Sequence, residues 1–195
     1  MIAGEARHCT HCGSPWPDLA REWPRVCNTC RTTTWRNARP VIIVILLTED
    51  PHTGVEHVLL GVRAIPPQVG HPALFSGFIE QMSNEPQPLA WQQEAAREVW
   101  EETSGLILLD PKSIQPHHAF PFDTSHSVPG IFMAFCVARI PWPSLANWTP
   151  NEETSQLLLA PLHDIGVHTH LAFPTHEAAI QALLTGSAAD RRHGR

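Results

Sequence analysis

Glu94-Ala-Ala-Arg-Glu-Val-Trp-Glu-Glu-Thr103 is the stretch from which the fold can be read. It has helical character, and Glu98, Glu101 and Glu102 stand at i, i+3 and i+4, a spacing that places three carboxylates on one side of a helix. Like charges on adjacent turns destabilise a helix unless water or a counter-ion separates them. A hard divalent cation such as Mg²⁺ or Mn²⁺ takes oxygen ligands of this kind. An acidic face that is merely solvated is the plain alternative. Against it stand the small and apolar neighbours Ala95, Ala96, Val99 and Trp100, and a glycine-containing segment with its own acid, Ser76-Gly-Phe-Ile-Glu80, just upstream.

Arg97, Glu98, Val99, Glu101 and Glu102 resemble, position for position, the second half of the Nudix box, GX5EX7REUXEEXGU, with U a bulky aliphatic residue. Gly77 resembles its first glycine. Between Gly77 and Arg97 the chain carries six residues more than the pattern, and the first box glutamate has no counterpart in register: Leu89 or Ser83 falls there, with Glu85 and Glu94 as displaced substitutes. Ser104 takes the second glycine position and Gly105 follows, enough to end the helix. The metal-binding half of the pattern is thus intact, and the half that stabilises the loop is altered.

With 195 residues, 43% of them hydrophobic, the chain suits one domain plus a small appendage. A formal charge of −6 and a single lysine, Lys112, argue against a nucleic-acid backbone as the main partner, since such binding rests on clustered cations. Small nucleotides remain compatible through bound metal. No apolar run follows Met1, so neither a signal peptide nor a membrane span is expected, and the cytoplasm is the expected compartment.

Four of the five cysteines form two CxxC pairs, Cys9/Cys12 and Cys27/Cys30, 14 residues apart. Such knuckles can place four thiolates tetrahedrally around Zn²⁺, a closed structural site with no open position. Two disulfides are disfavoured in a reducing compartment, and a redox CxxC lacks a preceding strand. His8 and His11 are either substitute ligands or bystanders in this reading. A span broken by Pro15, Pro17 and Pro24 buries little by itself, so metal would supply its folding energy.

Val41 to Thr48, a continuous β-branched run, reads as a central buried strand, and Glu56 to Arg63 as its hairpin partner across the Asp50–Gly54 turn. Pro88 suits a helix start. Leu106 to Leu109 and Gln115 to Phe122 read as strands, as does Ile131 to Ile140, in which Cys136 is a small core residue. Ser155 to Ile165 reads as a strand running into a short helix. Thr175 suits the N-cap of a C-terminal helix with Ala179 and Leu183 on its apolar face. From Gly186 onward the sequence is polar and reads as a flexible tail.

The order zinc ribbon, NxxP, hydrophobic strand resembles a Nudix subgroup that includes NADH pyrophosphatases and zinc-ribbon ADP-ribose or FAD hydrolases. Leu171-Ala-Phe-Pro-Thr-His176 is similar to that subgroup's approach to its last helix. Gln115 to Phe122 only loosely resembles the SQPWPFPxS signature of the NADH enzymes, so NADH preference is not supported. The resemblance implies an α/β/α sandwich with a mixed sheet over residues 37–185, preceded by a ribbon over 1–36 and followed by a tail over 186–195. It implies Mg²⁺ or Mn²⁺ held by Glu98 and Glu102 with help from Glu101, Glu153 and the Ser76 carbonyl, with Glu152 as the second candidate for the acid near 153. Glu101 is the first choice for a base and Glu153 the second. Arg63 lies where the family often keeps a basic residue and can meet a phosphate or remain a plain surface arginine. Phe120 and Phe122 can stack on a base or belong to the core. His117, His118 and His126 are weak candidates among thirteen histidines.

The activity implied is hydrolysis of a nucleoside diphosphate linked to another moiety, releasing a nucleoside monophosphate. ADP-ribose or FAD leads the substrate order, then NADH, then a nucleoside triphosphate. A homodimer is compatible. Two other classes compete: a nucleotide-sensing module, which usually loses box carboxylates, and a zinc-ribbon adaptor, which predicts a protein partner and no turnover.

Overall fold

A computed structural model describes residues 7–9, 11–16, 24–34, 39–79, 90–122 and 131–193, with the side chains of 90, 118–122 and 186–193 outside that description. The chain divides into two compact units, one of residues 1–39 with 121–132 and one of residues 40–120 with 133–195.

The first unit carries a two-stranded antiparallel ribbon, β1 (Arg25–Val26) and β2 (Thr33–Thr34), in the register Arg25 opposite Thr34. Its small core consists of Cys9, Trp16 and Cys27, with Cys30 packed against them. So few apolar groups bury little area, as the sequence implies.

In the second unit, β3 (Arg39–Glu49) is buried from Ile42 to Leu47. The unbroken apolar run without alternation reflects burial on both faces. β3 pairs with β4 (Glu56–Arg63) only over Leu46–Glu49 against Leu59–Glu56, beyond which the two strands splay. The chain then returns into the gap: β5 (Pro72–Ala73) ladders onto β4, and β6 (Phe75–Phe78) onto β3, with Gly77 opposite Ile42 and Ser76 opposite Ile43.

Helix α1 (Ala90–Glu102) follows, then β7 (Gln115–Phe122) and β8 (Ile131–Arg139). Cys136 Sγ meets the Ile43 carbonyl and the Ile140 N–H meets that of Leu47 at 2.9 Å, an equal advance along both strands. β8 therefore runs parallel to β3, and the sheet is mixed. β9 (Thr154–Pro161) lies antiparallel along β4 and passes into a 3₁₀ turn, Leu162–Asp164. Helix α2 (Pro174–His193) closes the chain.

The two faces of β3 explain the layering. Ile42, Val44 and Leu46 share a core with Ala95 and Val99 of α1, and with Cys136 and Ala138 of β8. On the opposite face Phe135 meets the ring of His176 at 6.0 Å, and His117 Nε2 bonds the Ala179 carbonyl at 3.0 Å, both partners belonging to α2. A helix thus covers each side of the sheet. No helix among the described residues is long and apolar enough to cross a membrane.

Three expectations are corrected. Leu106 to Leu109 forms no strand. Burial does alternate there, with Leu108 84% exposed between buried Ile107 and Leu109, but the segment has no partner ladder. The C-terminal helix begins at Pro174, whose missing N–H is harmless in a first turn, so Thr175 lies inside the helix and not at its cap. The segment after Gly186 continues that helix to His193 in place of a frayed tail. The longer loop, Met82 to Pro88 with Glu85, lies outside the described residues.

Candidate functional site

The acidic helix is presented to β6. Glu98 is buried and its carboxyl lies directly over Gly77, where a Cβ would stand 1.9 Å from Glu98 Cδ. Only a glycine leaves that space. One turn on, Glu102 Oε1 accepts the Ser76 N–H at 2.9 Å. Ser76 therefore points its N–H away from β3, and in an extended strand the carbonyl of the same residue leaves on the same edge. The Ser76 carbonyl thus leaves on the edge that carries the helix carboxylates.

Burial, reinforced by the charges of Glu153 and Glu98 and offset by the Ser76 N–H, pushes the Glu102 carboxyl up to about 8. Burial also raises Glu98 to about 6, against the pull of Arg97 and with the push of Glu101, Glu153 and Glu94. Two carboxyls that resist ionising beside a third acid form a site short of positive charge.

Arg97 supplies part of that charge. Its guanidinium bonds Glu94 Oε2 at 2.9 Å and Glu101 Oε2 at 2.7 Å, and it also bonds Glu98 Oε1. Glu94, out of register in the sequence, is thus the acid that reaches Arg97 from the preceding turn. Glu101 is 48% exposed on the helix flank, so it does not share the buried edge with Glu98 and Glu102. The three acids expected on one face divide into a pair against β6 and one outside it.

Glu153 arrives from the turn that leads into β9. It lies one residue before β9, exposed, and its carbonyl accepts the Ala64 N–H at 2.7 Å. Its charge acts on both Glu98 and Glu102, which brings it to the same site. Glu152 is exposed beside it.

Arg63 ends β4 with its guanidinium over the Phe173 ring, 5.1 Å from the centroid, while Nε donates to the Pro67 carbonyl at 2.7 Å. Its charge reaches Glu102, so it borders the site. His176 lies behind it. Its Nδ1 accepts the buried Leu74 N–H at 3.2 Å, and burial followed by the Arg63 charge lowers it to about 3. It is a neutral structural histidine whose proton is on Nε2. His117 is likewise engaged with a backbone carbonyl. The side chains of Phe120, Phe122 and His118, and the whole of His126, lie outside the described residues.

Sequence reasoning missed three groups. Asn151 joins the end of α1 to the turn bearing Glu153, Trp148 Nε1 donates to the Thr103 carbonyl at 2.8 Å, and buried Thr103 donates to the Val99 carbonyl at 2.6 Å. Asn151 stood within the acidic segment, but nothing in the sequence pairs it with a helix end 50 residues earlier.

The donor set suits a hard divalent cation: buried carboxylates, an exposed one whose charge reaches them and an outward carbonyl. As they stand, Glu98 and Glu101 turn to Arg97 and Glu102 to Ser76. Among the described residues, the cysteines are the one set whose donor atoms all lie within 4.8 Å of one another.

That set is built from two matching knuckles. The Cys9 N–H bonds the Ser14 carbonyl and the Gly13 N–H bonds that of Cys9; the Cys27 N–H bonds Thr32 and the Arg31 N–H bonds Cys27 in the same pattern. Gly13 and Arg31 hold equivalent positions with φ of 73° and 63°. Across the knuckles Cys9 and Cys30 sulfurs are 3.7 Å apart, and those of Cys12 and Cys27 3.6 Å. Zn–S bonds of about 2.3 Å in a tetrahedron put sulfurs about 3.8 Å apart, so the cluster fits one Zn²⁺. Hydrogen bonding with the Ser14 side chain and backbone lowers the Cys12 thiol to about 6, favouring the thiolate that a metal needs.

No protein-family model matches the sequence. A curated relative, the NAD-capped RNA hydrolase NudC of Edwardsiella ictaluri (strain 93-146), is 29% identical over 128 residues, 66% of this chain and 43% of that protein. The chain thus matches less than half the length of that relative. Among solved structures, the Nudix domain of Shewanella oneidensis NrtR complexed with ADP ribose superposes with a TM-score of 0.60 at 19% identity, over 78% of this chain and 90% of that one. A Caenorhabditis elegans (C. elegans) Ap4A hydrolase binary complex gives 0.55 at 15% identity, over 78% and 99%. A Nudix hydrolase from Nitrosomonas europaea gives 0.53 at 22% identity, over 97% and 94%. With the box residues seated on β6 and four cysteines clustered before the sheet in sequence, the chain has the Nudix fold and resembles the zinc-ribbon Nudix hydrolases.

Proposed function

We propose that the chain is a divalent-metal-dependent hydrolase that cleaves the pyrophosphate of a nucleoside diphosphate linked to another moiety and releases a nucleoside monophosphate. The observation that carries this reading is the pair Glu98 and Glu102, seated on Gly77 and Ser76 with Glu153 facing them, a concentration of buried carboxyl groups that lacks its counter-charge.

Glu98, Glu102, Glu153 and the Ser76 carbonyl would hold Mg²⁺ or Mn²⁺, which when bound neutralises pyrophosphate charge and makes water a better nucleophile. The chain's own groups do the rest. Glu102, whose carboxyl burial raises, would have to release its proton to act as a ligand. Glu153, the acid with a free carboxylate near the pair, is better placed to take a proton from water than Glu101, which Arg97 holds on the flank. Arg63, beside Glu102, contributes positive charge at the phosphate side. The four cysteines hold structural Zn²⁺.

ADP-ribose or FAD leads the substrate order, followed by NADH or a nucleoside triphosphate. ADP ribose in the similar NrtR domain and the NAD cap named for the curated relative support a pyrophosphate joining a nucleoside to a second moiety. The net charge of −6 favours a small nucleotide over a polyanion. A homodimer and a cytoplasmic location belong to the same proposal, the first testable by light scattering.

The deciding experiment is product analysis with Mg²⁺ or Mn²⁺ over ADP-ribose, FAD, NADH and nucleoside triphosphates, beside Glu101→Gln and Glu102→Gln. Turnover that Glu102→Gln abolishes supports the hydrolase. Nucleotide binding without turnover, equal in all three proteins, would make it a sensing module.

A further inference from the structure

One side chain bridges the two halves of the acidic site. Asn151 Nδ2 donates to the carbonyls of Glu101 and Glu102, both at 3.0 Å, and to Ser104 Oγ at 3.1 Å. Its Oδ1 accepts the N–H groups of Glu153 at 3.0 Å and Thr154 at 2.7 Å. The donor half of the amide thus grips the last carbonyls of α1, and the acceptor half grips the backbone of the acid on the far side. An amide suits both ends, because a carboxylate would face two carbonyls and a hydroxyl could not span them.

The surroundings make this a rigid link. The Asn151 N–H bonds the Thr154 carbonyl at 3.0 Å, which closes the turn. Thr154 is buried opposite Arg63 at the start of β9, and the Ala64 N–H holds the Glu153 carbonyl. Glu98 and Glu102 are fixed from β6, as described above. Glu153 is tied to β4 through the Ala64 N–H, and among the described residues the hydrogen bond that joins its backbone to the end of α1 runs through this amide.

We infer that Asn151 is a positioning residue: its single amide sets the separation between Glu153 and the Glu98–Glu102 pair, and so the geometry of the cation site they share. The inference rests on the metal-binding part of the function proposed above. Carboxylate ligands depend on such outer partners for orientation, and losing one typically weakens metal binding about 10- to 100-fold.

The test is a mutant cycle read by Mn²⁺ binding in electron paramagnetic resonance, on the zinc-loaded full chain, with no turnover required. Asn151→Ala should weaken Mn²⁺ binding about tenfold, and Glu153→Gln by a similar factor. The double variant should bind no more weakly than Glu153→Gln alone, because the amide acts through that acid. Trp148→Phe removes another cap of the same helix end without touching Glu153, and it should lower the melting temperature while leaving Mn²⁺ binding unchanged. If Asn151→Ala does not fold, Asn151→Asp, which keeps the acceptor half, replaces it in the cycle.

Additive losses in the double variant, equal weakening by Trp148→Phe, or no Mn²⁺ binding to the wild type would each overturn the assignment. Coupled Mn²⁺ binding in a protein that hydrolyses nothing in the nucleotide panel would sink the hydrolase reading and leave Asn151 in its role.

Discussion

Gly77 and Glu98 compete for one space: a Cβ on residue 77 would lie 1.9 Å from Glu98 Cδ and 2.1 Å from Oε1. The carboxyl is the far end of a side chain with rotatable bonds, so on Gly77→Ala it is the carboxyl that yields. Stability should fall by only about 1 kcal/mol, at the lower end of overpacking effects. Mn²⁺ affinity should fall about 10- to 100-fold as Glu98 leaves its seat. Urea unfolding and Mn²⁺ titration of the same preparation separate the two. Unchanged affinity would mean that Glu98 binds no metal.

The raised carboxyl of Glu102 makes a prediction about pH. Its folded-state value is about 8 against an ordinary 4.5, so between those limits the folded chain holds more protons than the unfolded one. Its favourable contribution is complete below about pH 4.3 and is lost as pH climbs through 8. Glu98, raised to about 6, adds to the loss over the lower part of that window. In zinc-loaded protein without Mg²⁺ or Mn²⁺, Glu102→Gln should melt several degrees above wild type at pH 8.5 and close to it at pH 4.5. Glutamine can still accept the Ser76 N–H. Added Mg²⁺ should raise the wild type at pH 8.5 and not the variant.

Zinc removal tests the ribbon. Structural zinc supplies about 10–16 kcal/mol of apparent binding energy in small modules, far more than the burial of Cys9, Trp16 and Cys27 provides. Titration of the thiols with a mercurial should release one Zn²⁺ per chain, and circular dichroism should then show loss of the β1–β2 ribbon with the main sheet retained. Cys12→Ser should be purified with less than one equivalent of zinc. A full equivalent would exclude Cys12 as a ligand.

How much was legible in the sequence depended on the range of the interaction. β3 and β4 could be read from β-branched runs and a turn, because burial on both faces leaves a continuous apolar signature. The acids of α1 could be read because helical spacing is local. The division of those acids was not legible, since it depends on β6 entering the splayed gap between β3 and β4 and on Arg97 choosing among three partners. Asn151 and Trp148 were hidden for the same reason: their bonds to α1 span 45 to 50 residues and leave no periodic trace. Leu106–Leu109 misled because alternating burial accompanies any extended segment lying on a core, with or without a strand partner.

His176 yields a prediction about the second face of the sheet. Its ring meets Phe135 edge-to-face and Phe173 at a tilt, and its Nδ1 accepts the Leu74 N–H, so His176→Phe keeps the aromatic volume and removes the acceptor. A buried N–H left unpaired costs about 1–3 kcal/mol. Chemical denaturation should show that loss in full at pH 7.5 and about 1.4 kcal/mol less of it at pH 5.5, because the folded ring, lowered to about 3, is neutral at both while the unfolded histidine takes up a proton below its ordinary 6.5. A loss equal at the two pH values would show that the folded ring titrates like an unfolded one.

The end of α1 explains why serine can stand where the family pattern has glycine. The Gly105 N–H bonds the Trp100 carbonyl at 2.7 Å and the Ser104 N–H bonds that of Glu101 at 3.0 Å, the paired bonds of a Schellman ending. That ending puts Ser104 at φ 52°, which costs a non-glycine residue about 1 kcal/mol. Its hydroxyl offsets the strain by donating to the Thr149 carbonyl at 2.9 Å and accepting from Asn151. Ser104→Gly exchanges one effect for the other and should change stability by less than about 0.5 kcal/mol. Gly105 has no such compensation: at φ 79°, with the Trp100 ring 3.4 Å from where a Cβ would be, Gly105→Ala should lose about 1–2 kcal/mol. Urea denaturation of the two variants decides it. A gain of about 1 kcal/mol in Ser104→Gly would mean that the Ser104 hydroxyl contributes nothing, since glycine alone relieves the strain.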